Sequence, residues 1–228
     1  MSDKSLSQEK INNLILLYKK GLIKEALVEA EQLIENNTNS FFLHNIYGMI
    51  NMNLKKWNKS IESFSKAIEI KQDYAEAHNN LGVALNNLAH LEKAIESYSN
   101  AIKFKPNYAN AHNNLGSVFN DLGRWEEALE SYSKALEYNP EDNEAYENLI
   151  KLLTFYKPKK ANSNSIVIAN QELQNIKYNY NSNKKITDNE ISNFFKKCNK
   201  IILKNKNKIS FNRSQIYRRN TIDLNCNR

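Results

Sequence analysis

Apolar residues return along this chain at helical intervals, in paired blocks separated by short polar joints. Between Ala75 and Leu88 the positions Leu81, Val83, Ala84, Leu85 and Leu88 follow one another at three-to-four spacing, and between Leu91 and Phe104 so do Ala94, Ile95, Tyr98, Ala101 and Ile102. That spacing gathers side chains on one face of a helix, so each block predicts an amphipathic helix and each pair a helical hairpin. Asn or Gly stands near the joint. Pro106 and Pro140 end the second blocks, because proline lacks the amide that would continue the helical ladder.

The hairpin recurs. Shifting the chain by 34 residues lays Tyr74-Ala-Glu-Ala-His-Asn-Asn-Leu-Gly82 on Tyr108-Ala-Asn-Ala-His-Asn-Asn-Leu-Gly116. Ala94, Tyr98, Ala101 and Pro106 then fall on Ala128, Tyr132, Ala135 and Pro140, with Gly48, Phe64 and Ala67 one period upstream. Leu14, Leu17, Gly21 and Ala26 form a degenerate first copy that lacks the column glycine. Self-similarity at this period signals stacked supersecondary units that bury a continuous core only together. Gly82 and Ala101 are small enough to let the paired helices approach, Tyr98 is expected to fill space between units, and a large side chain at Gly82 is predicted to overpack.

Leu-Gly in the first helix, then Ala, an aromatic residue, Ala and Pro at this period closely resemble the tetratricopeptide repeat. The second copy departs from it, with Tyr47-Gly48 for Leu-Gly, Ser60 for the first Ala and Gln72 for Pro, and the first keeps little beyond Ala26 and its apolar rhythm. The resemblance implies an all-α fold: a right-handed α-solenoid of about four hairpins over residues 5–156, with repeats at about 7–40, 41–74, 75–108 and 109–142. A capping helix follows over 143–156, carrying Tyr146, Leu149, Ile150 and Leu153 on its apolar side.

The resemblance also implies that first helices line a concave groove. In the two best copies the groove positions hold Glu76, Asn79, Asn80, Val83, Asn86 and Asn87, then Asn110, Asn113, Asn114, Ser117, Asn120 and Asp121. Asn12, Asn80, Asn114 and Asn148 share one column, interrupted by Ile46. An amide offers donors and an acceptor, so such a ladder can pair with the backbone of an extended peptide whatever its side chains. Similar ladders occur in the repeats of O-linked N-acetylglucosamine transferases. The expected peptide-binding residues are therefore Asn12, Asn79, Asn80, Asn86, Asn87, Asn113, Asn114, Asn120 and Asn148. Ile11, Ile15, Ile46 and Glu76 stand where basic residues would be needed to clamp an acidic C-terminus, which disfavours that kind of partner.

Charge divides the chain. The formal net charge is +7, but residues 1–156 carry 16 Lys and Arg against 21 Asp and Glu, and residues 157–228 carry 16 against 4. Lys157-Pro-Lys-Lys-Ala-Asn-Ser-Asn-Ser165 begins a linker assigned to 157–185, and 186–228 reads as a basic, partly ordered tail. Thr187 to Glu190 forms a capping box before Ile191, Phe194, Phe195, Cys198, Ile201 and Ile202, which predicts one amphipathic helix. The ending beyond Ser214 reads as the start of a strand or turn, so a further domain is expected to follow.

Candidate chemistry changes this picture little. His44, His78 and His112 recur at the repeat period, but equivalent places in neighbouring units lie roughly 8 to 10 Å apart, too far to share a metal. They are expected to pack, as are Trp57 and Trp125 at the starts of second helices. Cys198 and Cys226 lack metal-ligand spacing, and no nucleophile motif or phosphate-cradling loop is present. Neither catalysis nor a cofactor is expected. The start of the chain has no signal-peptide pattern and the most apolar window, Phe41 to Leu54, is too short to cross a bilayer, which points to a cytoplasmic protein without a membrane span. The leading expectation is a non-catalytic scaffold that holds an extended segment of another protein in an Asn-lined groove. One alternative is an N-terminal recognition module of a larger transferase or oxygenase. The other is binding of nucleic acid or an anionic surface through the basic tail, where Phe211, Arg213, Tyr217, Arg218 and Arg219 cluster.

Overall fold

The computed structural model describes residues 8–155. The linker at 157–185 and the basic tail with its amphipathic helix at 186–228 lie outside the described residues, as do the side chains of Ile150 and Leu153. Among the described residues there are nine α-helices and no strand. They pair as α1 (Gln8–Lys19) with α2 (Ile23–Asn36), α3 (Phe41–Asn53) with α4 (Trp57–Ile70), α5 (Ala75–Asn87) with α6 (Leu91–Phe104) and α7 (Ala109–Asp121) with α8 (Trp125–Tyr138), followed by α9 (Asn143–Phe155). Each second helix also packs on the first helix of the next pair, and α3, α5, α7 and α9 touch in sequence. The result is an all-α solenoid with first helices in one layer and second helices backing them.

The turn inside each hairpin has one geometry repeated four times. Gly21, Lys55, Ala89 and Gly123, spaced one period apart, all adopt positive φ, at 73°, 56°, 57° and 68°. The residue after each donates its amide to a carbonyl five residues back, as Lys56 does to Asn51 at 2.9 Å and His90 to Leu85 at 3.0 Å, while the residue itself donates three back. This doubly bonded cap ends the first helix and reverses the chain. Two of the four turns place an L residue with a Cβ in the left-handed region, where it costs roughly 1 to 2 kcal/mol.

Inside each hairpin a glycine of the first helix faces an aromatic ring of the second. A Cβ built on Gly82 would lie 2.6 Å from Tyr98 Cε1, and the equivalent distances are 2.5 Å at Gly48 to Phe64 and 2.7 Å at Gly116 to Tyr132. Tyr98 thus fills the space over Gly82 within its own hairpin, and the glycine makes room for a ring. The first hairpin reverses the sizes. Leu14 stands in the glycine column and Ala30 in the aromatic column, both fully buried in one cluster with Ala26, Leu33, Leu43 and Ile50. The missing glycine is therefore an exchange of volume between two facing positions rather than a degenerate copy.

The first helix differs from the later first helices on one side. Leu43 and Ile50, Ala77 and Ala84, Ala111, Leu115 and Val118, and Ala145, Leu149 and Leu152 are buried in their helices, Leu43 and Ile50 in one cluster with residues of the first hairpin. The matching places on α1 hold Glu9, Asn13 and Leu16, and Leu16 is 48% exposed. Polar Glu9 and Asn13 and the exposed Leu16 thus replace residues that are largely buried in the later first helices. One expectation fails in this layer. Trp125 is 43% exposed instead of anchoring the core, whereas Ile23, Trp57 and Leu91, the first residues of the other second helices, are half-buried.

Candidate peptide-binding surface

The side-by-side first helices form the candidate surface, and their seams are bridged by side-chain amides. Asn80 Nδ2 of α5 donates to Asn45 Oδ1 of α3 at 3.1 Å, Asn114 of α7 to Asn79 of α5 at 3.0 Å, and Asn148 of α9 to Asn113 of α7 at 3.1 Å. At the first seam Asn53 Nδ2 donates to Tyr18 Oη at 2.8 Å. All four bonds join residues 35 apart, one more than the repeat period. The amides therefore do not stack column upon column. Each pairs diagonally with the neighbouring column of the preceding unit, because successive residues are turned about 100° around a helix and its two flanks therefore carry different columns. Asn79 Nδ2 also approaches Asn80 Oδ1 at 3.4 Å, which links Asn45, Asn80, Asn79 and Asn114 into one run.

The diagonal sorts the sequence-predicted residues into three groups. Asn79 and Asn113 are only 6% and 4% exposed, buried in the seams as acceptors, and so do not lie open on the groove face as expected. Asn80, Asn114 and Asn148 are half-buried donors at the seam. Asn12, Asn87 and Asn120 are exposed and Asn86 half-buried, with Asn87 Nδ2 bonded to its own helix at Val83 O at 2.9 Å. Asn45 belongs with Asn79 and Asn113 and was absent from the expected set. Its signal is in the sequence, since Asn45, Asn79 and Asn113 recur at the repeat period. The diagonal also accounts for Ile46. The position 35 residues earlier is Ile11, so both places that hold amides at the later seams are apolar here, with Ile46 buried in the cluster around Leu14 and Leu43.

Three histidines fasten the loops that enter the first helices. The Nε2 atoms of His44, His78 and His112 bond the carbonyls of Thr38, Gln72 and Pro106, each at 2.9 Å and each six residues back. His78 stacks on Phe104 with centroids 5.4 Å apart, and His112 leans on Tyr138 at 5.5 Å. Burial drives the His112 pKa below its ordinary 6.5, although the bond to Pro106 opposes this. Packing is the role expected for these residues, and among the described residues no group of His, Cys, Asp and Glu is placed to hold a metal.

Charge at the surface is sparse. Glu76 pairs with Lys105 at 2.9 Å, both side chains more than a third exposed. Burial pulls the Glu76 carboxyl upward, but the Lys105 ammonium and a backbone bond more than offset it and leave the group below its usual pKa. Burial, followed by the nearby Glu76 and Tyr74, pushes the Tyr108 hydroxyl up to about 12. Among the described residues no helix is long and apolar enough to cross a membrane.

A sequence profile described as TPR repeat matches residues 48–88 and 90–120, and one described as tetratricopeptide repeat matches 109–142. The helical part of the chain is a tetratricopeptide-repeat solenoid. Solved tetratricopeptide structures share its fold. One titled "Crystal structure of MamA" aligns at a TM-score of 0.56 with 21% identity, covering 85% of this chain and 95% of that one. A second, "YrrB: a TPR protein with an unusual peptide-binding site", aligns at 0.55 with 19% identity over 67% of this chain and 78% of that one. The pilF protein of Pseudomonas aeruginosa aligns at 0.60 with 20% identity, over 64% and 67%. At these identities the likeness is one of tetratricopeptide fold alone. No curated protein sequence matches the chain.

Proposed function

We propose that the solenoid is a non-catalytic scaffold that holds an extended peptide segment of another protein against the face of its first helices. The observation that carries this reading is the seam of amides. Asn80, Asn114 and Asn148 each use one N–H to bridge to the preceding hairpin, which fixes the direction of the amide group. A primary amide has a second N–H and further lone pairs, and these suit the alternating donors and acceptors of an extended backbone. Fixing the amides before a ligand arrives removes part of the ordering cost of binding. Likeness in fold to YrrB, described as having an unusual peptide-binding site, is consistent with this reading.

The test is affinity capture from a cell lysate with the full chain and with the Asn80→Ala, Asn114→Ala double variant, whose folding is checked by circular dichroism. Proteins held by the groove are expected to disappear from the variant's capture. A capture list unchanged by the substitutions removes the groove from the account.

A further inference from the structure

The face of the first helices changes character along its length, and the diagonal shows where. The seam between α1 and α3 is apolar at the positions that are amides everywhere else: Ile11 is half-buried and Ile46 buried. Around them Ile15, Phe42 and Met49, all half-buried, extend the apolar character, with Ile15 and Phe42 resting on the buried cluster below. From α5 onward the same positions turn to Asn79, Asn80, Asn113, Asn114 and Asn148. Carboxylates join the amides toward the far end, where Asp121 and Glu144 are exposed, and the basic residue on α9, Lys151, already lies 3.9 Å from Glu147.

We propose that the groove is bipartite and selects a peptide with an apolar block at one end and a polar, lysine- or arginine-bearing block at the other. This rests on the peptide-binding reading above and names the chemistry of its ligand. Half-buried Ile, Phe and Met side chains gain by covering apolar side chains, since contact removes apolar surface from water on both partners. The amide and carboxylate end gains nothing from such residues and would lose hydration by meeting them. It offers acceptors and negative charge, which complement a cationic segment and repel an acidic one. Length is compatible with one peptide touching both ends. Five first helices at roughly 8 to 10 Å spacing span about 32 to 40 Å, which is about 9 to 12 residues of extended chain.

The experiment is fluorescence anisotropy of the full chain with three labelled twelve-residue peptides of one composition, built from Leu, Val, Phe, Ser and Lys. In one the apolar residues occupy the first half, in the second the last half, and in the third they alternate with Ser and Lys. One block peptide is expected to bind at least about tenfold more tightly than the alternating one. Ile15→Lys is expected to abolish that preference. Because Ile15 rests on the core, Ile11→Lys provides a second variant outside that cluster, and thermal melts establish that each is folded. Asp121→Lys is expected to weaken the preferred peptide several-fold at low salt and little at high salt, where screening has already removed the attraction. Equal affinity for all three peptides, or a preference that survives both Ile variants, overturns the bipartite groove. The two readings fail separately. If the wild type binds all three peptides equally and Asn80→Ala with Asn114→Ala weakens them alike, the groove stands and its division falls. If both the affinities and the block preference are unchanged in that variant, the division stands and the amides lose their role.

Discussion

Exchanging the sizes of Gly82 and Tyr98 tests the packing rule on which the hairpins depend. A methyl group on Gly82 would sit 2.6 Å from Tyr98 Cε1 and 2.7 Å from Cδ1, whereas carbons in contact prefer roughly 3.5 to 4.0 Å. The ring, 1% exposed, must therefore shift by about 1 Å in a filled interior. Gly82→Ala gains about 1 kcal/mol of helix propensity, and overpacking costs about 1 to 3 kcal/mol, so the net effect is a loss of up to about 2 kcal/mol. Gly82→Leu adds three more carbons to the same collision and is expected to cost about 3 kcal/mol or more. Tyr98→Ala empties a ring-sized space and is expected to cost about 3 to 5 kcal/mol, as for other buried aromatic residues. Independent effects would sum to about 6 to 8 kcal/mol, yet the pair reproduces the fully buried Leu14 and Ala30 of the first hairpin. The double variant should fall at least about 2 kcal/mol short of the sum. Urea unfolding of the wild type, both singles and the double, followed by circular dichroism, gives the coupling directly. Additivity within about 0.5 kcal/mol, or a Gly82→Leu variant as stable as the wild type, would refute the argument.

Three further outcomes follow from single sites. Asn51 Oδ1 is buried without a hydrogen-bond partner in a column otherwise filled by Leu17, Leu85 and Phe119, so Asn51→Leu should raise stability by about 1 to 2 kcal/mol in the same assay. Ala89 has φ of 57°, so Ala89→Gly should stabilise by up to about 1 kcal/mol and Gly123→Ala, at φ 68°, should destabilise by a similar amount; a reversed order of melting temperatures would contradict the turn geometry. The depressed His112 pKa means that the unfolded chain binds more protons below pH 6.5, so its contribution is complete above that value and is lost as pH falls through the folded-state pKa. Melting temperature should therefore drop between pH 7 and 5, and His112→Gln should flatten the slope.

Much of the fold is legible along the chain because a repeat states its own rule several times. Period, hairpins and the Gly–aromatic column depend on contacts within one unit or between identical neighbours, and the sequence displays both members. The seams are harder to read. A column at the repeat period names equivalent residues, but touching residues lie 35 apart, because the flank of a first helix that meets the preceding unit and the flank that meets the next carry different columns. Asn45 was missed, and Asn79 and Asn113 were placed on an open face, for that reason.

Local sequence determined the helices, their ends and the amide-rich face, since helical period, proline and the recurrence of Asn act over a few residues. Only the tertiary structure decided which amides are buried acceptors and which are seam donors, that Leu14 and Ala30 exchange volume, and that Trp125 lies outside the core. These outcomes depend on how each hairpin packs against the next. That packing is the sum of many side-chain contacts, and no single stretch of sequence encodes it.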